Sequence, residues 1–405
     1  MSPPRMKKKN FFTDTLVASV FVVLGAFLIG FFPLKFEEAK PIKQEFSDFD
    51  IYDLYYSKLG RDNFKRDADV VLVQVGRNRK EIAEQLLKIS SLEPAIVGID
   101  VTFENREDPE SSALLSAIRK TPSVVCSYRF RQEESSGELA AEPQLIPDSL
   151  LLQRGGYVNL LGTEEYSVVR YYSPFLSVQE KEHMALTSRI VEKYSPPSFE
   201  KLRKRGRSVE IINYHNDIEN YHHFTTADFD TYYASNKLKE FIKGKIVLLG
   251  VFTGEPVVLE DLKFTPRNPV VTGKSFPDMY GVVVQANILT MLMSGDYASL
   301  MPLWLSYLLA YIFTFFFIAY IVRVYIKGKH PAHWKLFLIR FTGIPVLLLL
   351  FLWLFSWTRI KILLLPVILS LALAVEIFDL YRLFIAPWLH KKFKYATNFS
   401  KKEHD

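Results

Sequence analysis

Cysteine is almost absent from this chain of 405 residues, which contains only Cys126. A lone cysteine cannot form a disulfide within the chain. Common catalytic motifs are also missing, because no G-x-S-x-G, H-E-x-x-H or G-x-x-x-x-G-K-[ST] pattern occurs in the sequence. These absences exclude the usual serine hydrolase, zinc protease and P-loop nucleotide sites, so we expect a protein that is not an enzyme and needs no cofactor.

Charged residues are scarce in four long apolar runs, and these runs set the domain organisation. Each run has about 20 residues and so matches the roughly 30 Å hydrocarbon core of a bilayer. The lipid bilayer is therefore the first partner that the sequence indicates. We predict four transmembrane helices, one before and three after a polar domain at residues 35–299, and they cover residues 15–34, 300–322, 336–355 and 362–384.

Lysine and arginine collect in the N-terminal tail (residues 1–14), the loop 323–335 and the C-terminal tail (385–405), whereas the other short loop holds only Arg359 and Lys361. Basic flanks are typical of the cytoplasmic side of a membrane. Both termini are thus predicted to be cytoplasmic, and the polar domain to lie outside the cytoplasm. The first run is longer than the core of a signal peptide and no A-x-A site follows it, so we expect an uncleaved anchor.

The net charge of +6 does not indicate a nucleic-acid-binding protein. Residues 35–299 contain 33 basic and 39 acidic residues, whereas the rest of the chain contains 17 basic and 5 acidic ones. The basicity is therefore confined to the membrane segments and their flanks, where it sets topology. We predict no nucleic-acid partner.

Apolar runs rich in Val and Ile alternate with amphipathic segments through the polar domain. The runs lie at residues 70–75, 95–103, 123–130 and 245–251, with helical patterns at 80–90 and 111–120. Continuous β-branched runs between helices are typical of strands buried on both faces of a mainly parallel sheet. The fold class predicted for the domain is an α/β sandwich, closed by a helix that ends near Gly295.

The ordered set of segments VVLVQV, PAIVGIDVTF, SVVCSYRF, GYVNLL with VVRYYSPF, FIKGKIVLLG, EDLKFTP and PDMYGVVVQANILTMLMSG, with one span before and three after, resembles the CHASE type 2 domain. This family of cyclases/histidine kinases associated sensory extracellular domains implies a bacterial signal-input protein, in the inner (cytoplasmic) membrane with a periplasmic domain. In relatives an output enzyme often follows the last span. Only about 20 residues follow it here, so we expect signalling through a separate output protein.

Three polar residues inside the segments of resemblance are candidate ligand-binding residues: Asp100, Asp261 and Asn287. Asp100 ends a predicted parallel strand, and α/β folds bind ligands at the carboxyl ends of their strands. Each of the three has an alternative interpretation, as a strand-end cap, a loop-fixing group or a helix-packing polar group. The closing helix also has Gln285 where relatives frequently have histidine.

A cluster of histidines invites a metal interpretation. His215, His222 and His223 lie close to Asp217 and Glu219 in the sequence. Their spacing fits no compact zinc motif, and the segment is typical of a surface loop. We predict no metal site.

Acidic residues occur in the three clustered runs only at Glu376 and Asp379, with Arg382 one turn further on. Residues three apart share a helix face. Charges at membrane depth usually face protein, so these three residues are candidates for coupling between transmembrane helices. Their position near the cytoplasmic end is equally compatible with side chains that reach the interface.

Taken together, the sequence predicts a membrane-anchored extracytoplasmic sensor that binds an unknown small molecule or envelope protein. The alternative is a structural or assembly component of an envelope membrane complex. A sensor would have an enclosed pocket with a few polar groups, and an assembly component would have an exposed apolar patch. A homo-oligomer is left open in both cases.

Overall fold

The computed structural model describes residues 10–31, 50–60, 67–105, 109–133, 138–160, 168–253, 261–269, 276–326 and 333–400. The chain forms two compact units. One, the sheet domain, is Asp48–Ala298. The other, the helical unit, combines Met1–Ser47 with Ser299–Asp405.

A six-stranded sheet forms the centre of the sheet domain, and every pair of neighbouring strands in it is parallel. Its strands are β1 (Val70–Gln74), β2 (Ile96–Ile99), β3 (Val124–Tyr128), β4 (Gly155–Tyr157), β5 (His222–Phe224) and β6 (Ile246–Gly250). Their spatial order is β5-β1-β6-β2-β3-β4. The α/β class and the mainly parallel sheet are thereby confirmed.

Eight α-helices accompany the sheet among the described residues of this domain. They are α1 (Arg79–Ser91), α2 (Pro109–Lys120), α3 (Asp148–Arg154), α4 (Leu186–Tyr194), α5 (Pro196–Arg205), α6 (Thr226–Ala234), α7 (Leu238–Ile242) and α8 (Gly281–Ser294). Short two-stranded pairings form between Phe130–Gln132 and Leu139–Ala141, Tyr171–Tyr172 and Glu210–Ile211, Phe175–Val178 and Lys181–Met184, and Leu262–Lys263 and Met279–Tyr280.

Apolar side chains cover both faces of the sheet, because every residue of β1, β2, β3 and β6 is buried. On one face Val71, Val97 and Val247 share a core with buried residues of α1, α2, α6 and α7. Burial of these side chains stabilises the fold by about 25 cal/mol for each Å² of apolar surface. This layering is why the strands appear in the sequence as continuous apolar runs.

Helices α4 and α8 pack closely on the opposite face. A Cβ at Gly98 in β2 would lie 2.6 Å from Ile190 Cδ1 of α4, and a Cβ at Gly250 in β6 would lie 2.6 Å from Val282 Cβ of α8. Only glycine admits these approaches. Helix α8 ends at Gly295, whose φ of 71° is left-handed, as the sequence predicted for this stop.

The helical unit contains three helices that are long and apolar enough to cross a membrane, among the residues described. They are Phe11–Phe31, Leu303–Ile326 and His333–Thr358, and we refer to them as the first, second and third apolar helices. The fourth predicted run forms consecutive shorter segments instead, at Leu365–Ala372, Ala374–Leu380, a π-helical turn Tyr381–Ile385, and Ala386–Phe393. The count of four spans is therefore not confirmed.

A polar contact lies at the interruption after Ala372. The Ala372 carbonyl accepts a hydrogen bond from Arg340 Nη1 of the third apolar helix at 2.5 Å. Side chains that bond to the carbonyls of a helix are found at kinks, and the backbone hydrogen bonds of Leu373 to Leu369 and of Ile377 to Leu373 are kept. A sequence pattern of apolar residues carries no signal for this contact.

Candidate functional site

A cavity of about 260 Å³ opens at the carboxyl-terminal edge of the parallel sheet. Segments that follow four neighbouring strands converge on it, together with the start of α8. The cavity is lined by Asp100, Val101 and Thr102 after β2, Arg129 after β3, Val158 and Leu160 after β4, Val251 after β6, and by Asp261, Lys263, Gly281, Val282 and Gln285.

The position of Asp100 follows directly from the sheet. Its backbone N–H donates to the Leu249 carbonyl of β6 at 2.8 Å, so the residue is still held by the neighbouring strand when the chain leaves β2. Parallel strands bring their carboxyl ends to one edge, and this edge is where open α/β sheets bind ligands. The side chain of Asp100 is therefore fixed at the cavity wall.

A buried glutamine braces the same edge. Gln74 Oε1, at the end of β1, accepts hydrogen bonds from the backbone N–H groups of Phe252 and Thr253, each at 2.9 Å. Its backbone carbonyl accepts from Gln85 Nε2 of α1 at 2.8 Å. The segment after β6, which supplies Val251 to the cavity, is thus anchored by buried polar contacts.

Burial raises the pKa of the Asp100 carboxyl group to about 7, and the nearby Asp261 acts in the same direction. The positive charges of Arg129 and Lys263 oppose this shift. Removal of water disfavours the ionised form of a carboxyl group, and a like charge adds to that effect. Near neutral pH this group can therefore both donate and accept hydrogen bonds.

Several polar side chains of the cavity have no hydrogen bond or ion pair with any residue that the structure describes. They are Asp100, Arg129, Asp261 and Gln285. Gln285 is only 4% exposed. Buried polar groups are normally hydrogen-bonded within the protein, so the unpaired Gln285 is unusual. Asp100 and Asp261 are half-buried and Arg129 is exposed, and a few polar groups that converge on one cavity are expected of a binding site.

Gly281, the first residue of α8, leaves open space at the cavity wall. A Cβ built at this glycine would lie 4.0 Å from Asp100 Oδ2 and 4.0 Å from the backbone carbonyl oxygen of Asp261. Two acceptor oxygens therefore flank the start of the helix. Gln285 lies one turn further along the same helix face.

Asn287 is placed differently from the other two predicted ligand residues. Its Oδ1 accepts hydrogen bonds from the N–H groups of His215 and Asn216, each at 2.8 Å. Its Nδ2 donates to the carbonyls of Asn216 and Val283, each at 2.9 Å. The amide of Asn287 thus fixes a loop against α8, in agreement with the helix-packing alternative. The structure brings Asp100 and Asp261 together without it.

Sequence reasoning did not select Arg129, Lys263 or Gln285 as site residues. Arg129 follows the third apolar run just as Asp100 follows the second, so the same strand-end argument would have found it. Gln285 was noted only as a departure from relatives. Lys263 carries no signal in the sequence, because it reaches the cavity through a short pairing of Leu262–Lys263 with Met279–Tyr280.

The histidines that the sequence suggested as metal ligands contact different parts of the domain. His222 and His223 belong to edge strand β5, where the His222 ring packs on Phe241 at 5.0 Å. His215 Nε2 lies 3.6 Å from Asp296 Oδ2. Among the described residues no group of three potential metal ligands occurs.

The predicted coupling residues of the helical unit make ion pairs. Arg340 Nη1 lies 2.9 Å from Glu376 Oε2. Arg382 Nη2 lies 3.4 Å from Asp379 Oδ1, and the Tyr325 hydroxyl of the second apolar helix donates to Asp379 at 3.4 Å. Glu376 and Asp379 therefore contact two different helices, while their part in signalling stays a prediction.

A buried carboxylate in the first apolar helix was not selected by the sequence reasoning. Asp14 is fully buried. Its Oδ1 accepts from the hydroxyls of Thr397 and Tyr381 at 2.6 and 3.3 Å. Its Oδ2 accepts from the backbone N–H and Nδ2 of Asn398 at 2.8 and 3.0 Å. The chain after the last helix is thus attached to the start of the first apolar helix.

Comparison with known proteins identifies a family for this chain. The family model of the CHASE2 domain, a family of sensory extracellular domains, matches residues 23–322. No curated protein and no solved structure matches the chain. The matched range contains the whole sheet domain and all the residues that line the cavity.

Proposed function

We propose that this chain, which belongs to the CHASE2 domain family, is a membrane-anchored sensor. It binds a small ligand in the cavity at the carboxyl edge of its sheet. In this proposal the chain has no catalytic step of its own. It acts as a signal-input protein and passes the binding event to a separate output protein.

One observation carries the proposal: the unpaired polar side chains of Asp100, Arg129, Asp261 and Gln285 converge on a single cavity of about 260 Å³. A packing role would leave the buried Gln285 amide hydrogen-bonded within the chain. A pocket with a few convergent polar groups is also the feature that distinguishes the sensor from an assembly component. The family match supports the same choice.

The topology of the proposal rests on charge and hydropathy. Among the residues that the structure describes, three apolar helices are long enough to span a bilayer, and the run at residues 362–384 is proposed as the fourth span. The basic flanks favour cytoplasmic termini and an extracytoplasmic sheet domain. The family membership favours the inner membrane of a bacterium. Glu376, Asp379 and Arg382 are proposed to couple the helices during signalling.

Ligand binding can alter the helices only if the ligand has different affinities for two states of the protein. The ion pair between Arg340 and Glu376 and the contact of Asp379 with Tyr325 are contacts that could differ between such states. Disulfide cross-linking of introduced cysteines in the second and fourth runs, with and without ligand, would detect the difference. Cys126 is buried in the domain and should not interfere.

The binding claim is tested on the full-length protein in nanodiscs by calorimetric titration with a chemically diverse library of small molecules. We expect at least one compound whose affinity falls tenfold or more in Asp100→Asn and in Gln285→Leu. The exposed Arg119→Gln of α2 is the matched control and should bind as the wild type does. Binding that is unchanged by both cavity variants would contradict the proposal.

The topology claim is tested separately with protease on intact spheroplasts. We expect the sheet domain to be digested without lysis. If the sheet domain is cut only after lysis, it lies in the cytoplasm, and the proposal of an extracytoplasmic sensor is wrong.

A further inference from the structure

We infer that the cavity at the carboxyl edge binds a small zwitterion, with an ammonium group, a carboxylate and a short aliphatic body, as in a free aliphatic α-amino acid. This inference rests on the proposed function, since it names the ligand class of the same cavity. It depends on the charge, the acceptor geometry and the lining of the site.

The wall carries charges of both signs. Asp261 supplies a carboxylate, Asp100 supplies a second one in its ionised form, and Arg129 and Lys263 supply cations close enough to Asp100 to lower its pKa. Asp100, Asp261 and Arg129 form no ion pair with any described residue. A ligand with a single charge would leave the wall charges of the other sign without a counter-charge, whereas binding surfaces normally carry charges complementary to those of their partner. A zwitterion matches both kinds.

The start of α8 provides the place for the ammonium group. Asp100 Oδ2 and the Asp261 carbonyl oxygen flank the open space at Gly281, each 4.0 Å from the position of an added Cβ. Gln285, one turn along the helix, adds an amide oxygen to the cavity wall. An ammonium group has three N–H donors and no acceptor, so two acceptor oxygens beside one open space, with a third on the same cavity wall, suit it.

Arg129 provides the place for the carboxylate. It enters the cavity from the end of β3, whereas Gly281 and Gln285 belong to α8. A guanidinium group binds a carboxylate through two parallel hydrogen bonds. Lys263 adds a second positive charge to the wall.

The remaining wall is aliphatic, and the cavity is small. Val101, Val158, Leu160, Val251 and Val282 line it. Its volume lies below the roughly 300–1,000 Å³ of sites for drug-sized ligands. A short branched aliphatic body therefore fits this wall, and no aromatic side chain lines the cavity among the described residues.

The test uses the full-length protein in nanodiscs and three matched probes. L-Valine carries both charges, isobutylamine lacks the carboxylate, and isovalerate lacks the ammonium group. We expect calorimetric titration to show binding of L-valine and an affinity at least tenfold weaker for each single-charge analogue. Other small aliphatic amino acids should likewise bind at least tenfold more tightly than the amine and the carboxylate that correspond to them.

Two substitutions show which side chain binds the ammonium group of the ligand and which binds its carboxylate. Arg129→Gln should weaken L-valine at least tenfold and leave the residual affinity for isobutylamine unchanged. Asp100→Asn should weaken L-valine and isobutylamine but not isovalerate. Arg119→Gln remains the control. A folded variant is recognised by a wild-type pattern of hydrogen exchange at the sheet.

The outcomes separate this inference from the proposed function. If an analogue binds as tightly as L-valine, or if no aliphatic amino acid binds, the zwitterion class is wrong. A different library compound that still depends on Asp100 and Gln285 would then keep the sensor proposal. If no compound depends on these residues, both proposals are overturned.

Discussion

Two aspartates, the fully buried Asp14 in the helical unit and the half-buried Asp100 in the sheet domain, have opposite surroundings. Asp14 of the helical unit accepts four hydrogen bonds from Tyr381, Thr397 and Asn398. Asp100 of the sheet domain has no side-chain partner among the described residues. A carboxylate with all its acceptors used holds the chain together, whereas one without partners is available for another molecule.

The same contrast occurs within a single helix. On α8, Asn287 uses its whole amide to fix the His215–Asn216 segment, and Gln285, two residues earlier, has no partner within the described chain. Both side chains are buried, at 0% and 4% exposure. Burial alone therefore does not distinguish a packing amide from a binding amide, and the hydrogen bonds do.

The largest expected effect is on the packing amide. Asn287→Ala leaves the N–H groups of His215 and Asn216 without acceptors inside the protein. We expect the free energy of unfolding of the sheet domain to fall by about 3 kcal/mol. Pulse proteolysis of the full chain in urea measures this loss. A change below about 1 kcal/mol would show that the loop does not depend on this amide.

The buried carboxylate of the helical unit should come next. Asp14→Ala removes the acceptor for Thr397 and Asn398, and we expect a loss of about 2 kcal/mol of stability. All five tryptophans lie in the helical unit, so tryptophan fluorescence during thermal unfolding in detergent reports this unit. Thr397→Val, which removes one donor, should cost less. Equal stability of Asp14→Ala and the wild type would contradict a structural role.

The pH dependence sharpens the role of Asp100. Its pKa is about 7 in the folded protein against an ordinary value of 3.8. Between these two pH values the folded state keeps the proton on Asp100, whereas the unfolded state has released it. The stability contribution is present below about pH 4 and is lost as pH rises through about 7. We expect the difference in unfolding free energy between wild type and Asp100→Asn to fall by between about 1 and 2 kcal/mol, after allowance for partial exposure.

Asp278 also titrates in this range, because burial raises its pKa to about 6. It is present in both proteins and cancels from the comparison. Urea unfolding at pH 4, 5.5 and 7.5 gives the measurement. A difference that is independent of pH would mean that the Asp100 carboxyl group is well solvated.

The smallest expected effect on stability belongs to the binding amide. Gln285→Leu removes a polar group that has no partner in the described chain, so the free energy of unfolding should change by less than about 0.5 kcal/mol. Ligand affinity should nevertheless fall at least tenfold. The same pulse proteolysis used for Asn287→Ala provides the comparison, and a loss as large as that of Asn287→Ala would remove the distinction between the two amides.

Much of the sheet domain could be predicted because its strands are local apolar runs. The runs at 70–75, 95–103 and 245–251 contain β1, β2 and β6, and the position of Asp100 at a strand end led to the cavity. The rest depends on contacts between distant segments. Asp261, Lys263 and Gln285 meet Asp100 only because β6 lies beside β2, and no local pattern records that pairing.

The helical unit shows the same limit. The apolar composition of residues 362–384 predicts a span, whereas the structure divides this run into shorter helical segments, and Arg340 contacts the Ala372 carbonyl where the first of them ends. The partners of Asp14 are more than 360 residues away along the chain. The composition of a segment predicts an apolar helix, but it does not predict the polar contacts between such helices.

The late strand β6 lies between the two earliest strands of the sheet, β1 and β2, and pairs with both. During synthesis those first strands therefore do not pair with each other. The edge of β1 and the edge of β2 that pair with β6 stay without a partner until Ile246–Gly250 emerges. Folding of the domain must wait for most of its length, and non-local pairing of this kind slows folding. Any chain that stops before residue 246 should thus be left with two unprotected apolar edges and be prone to aggregate.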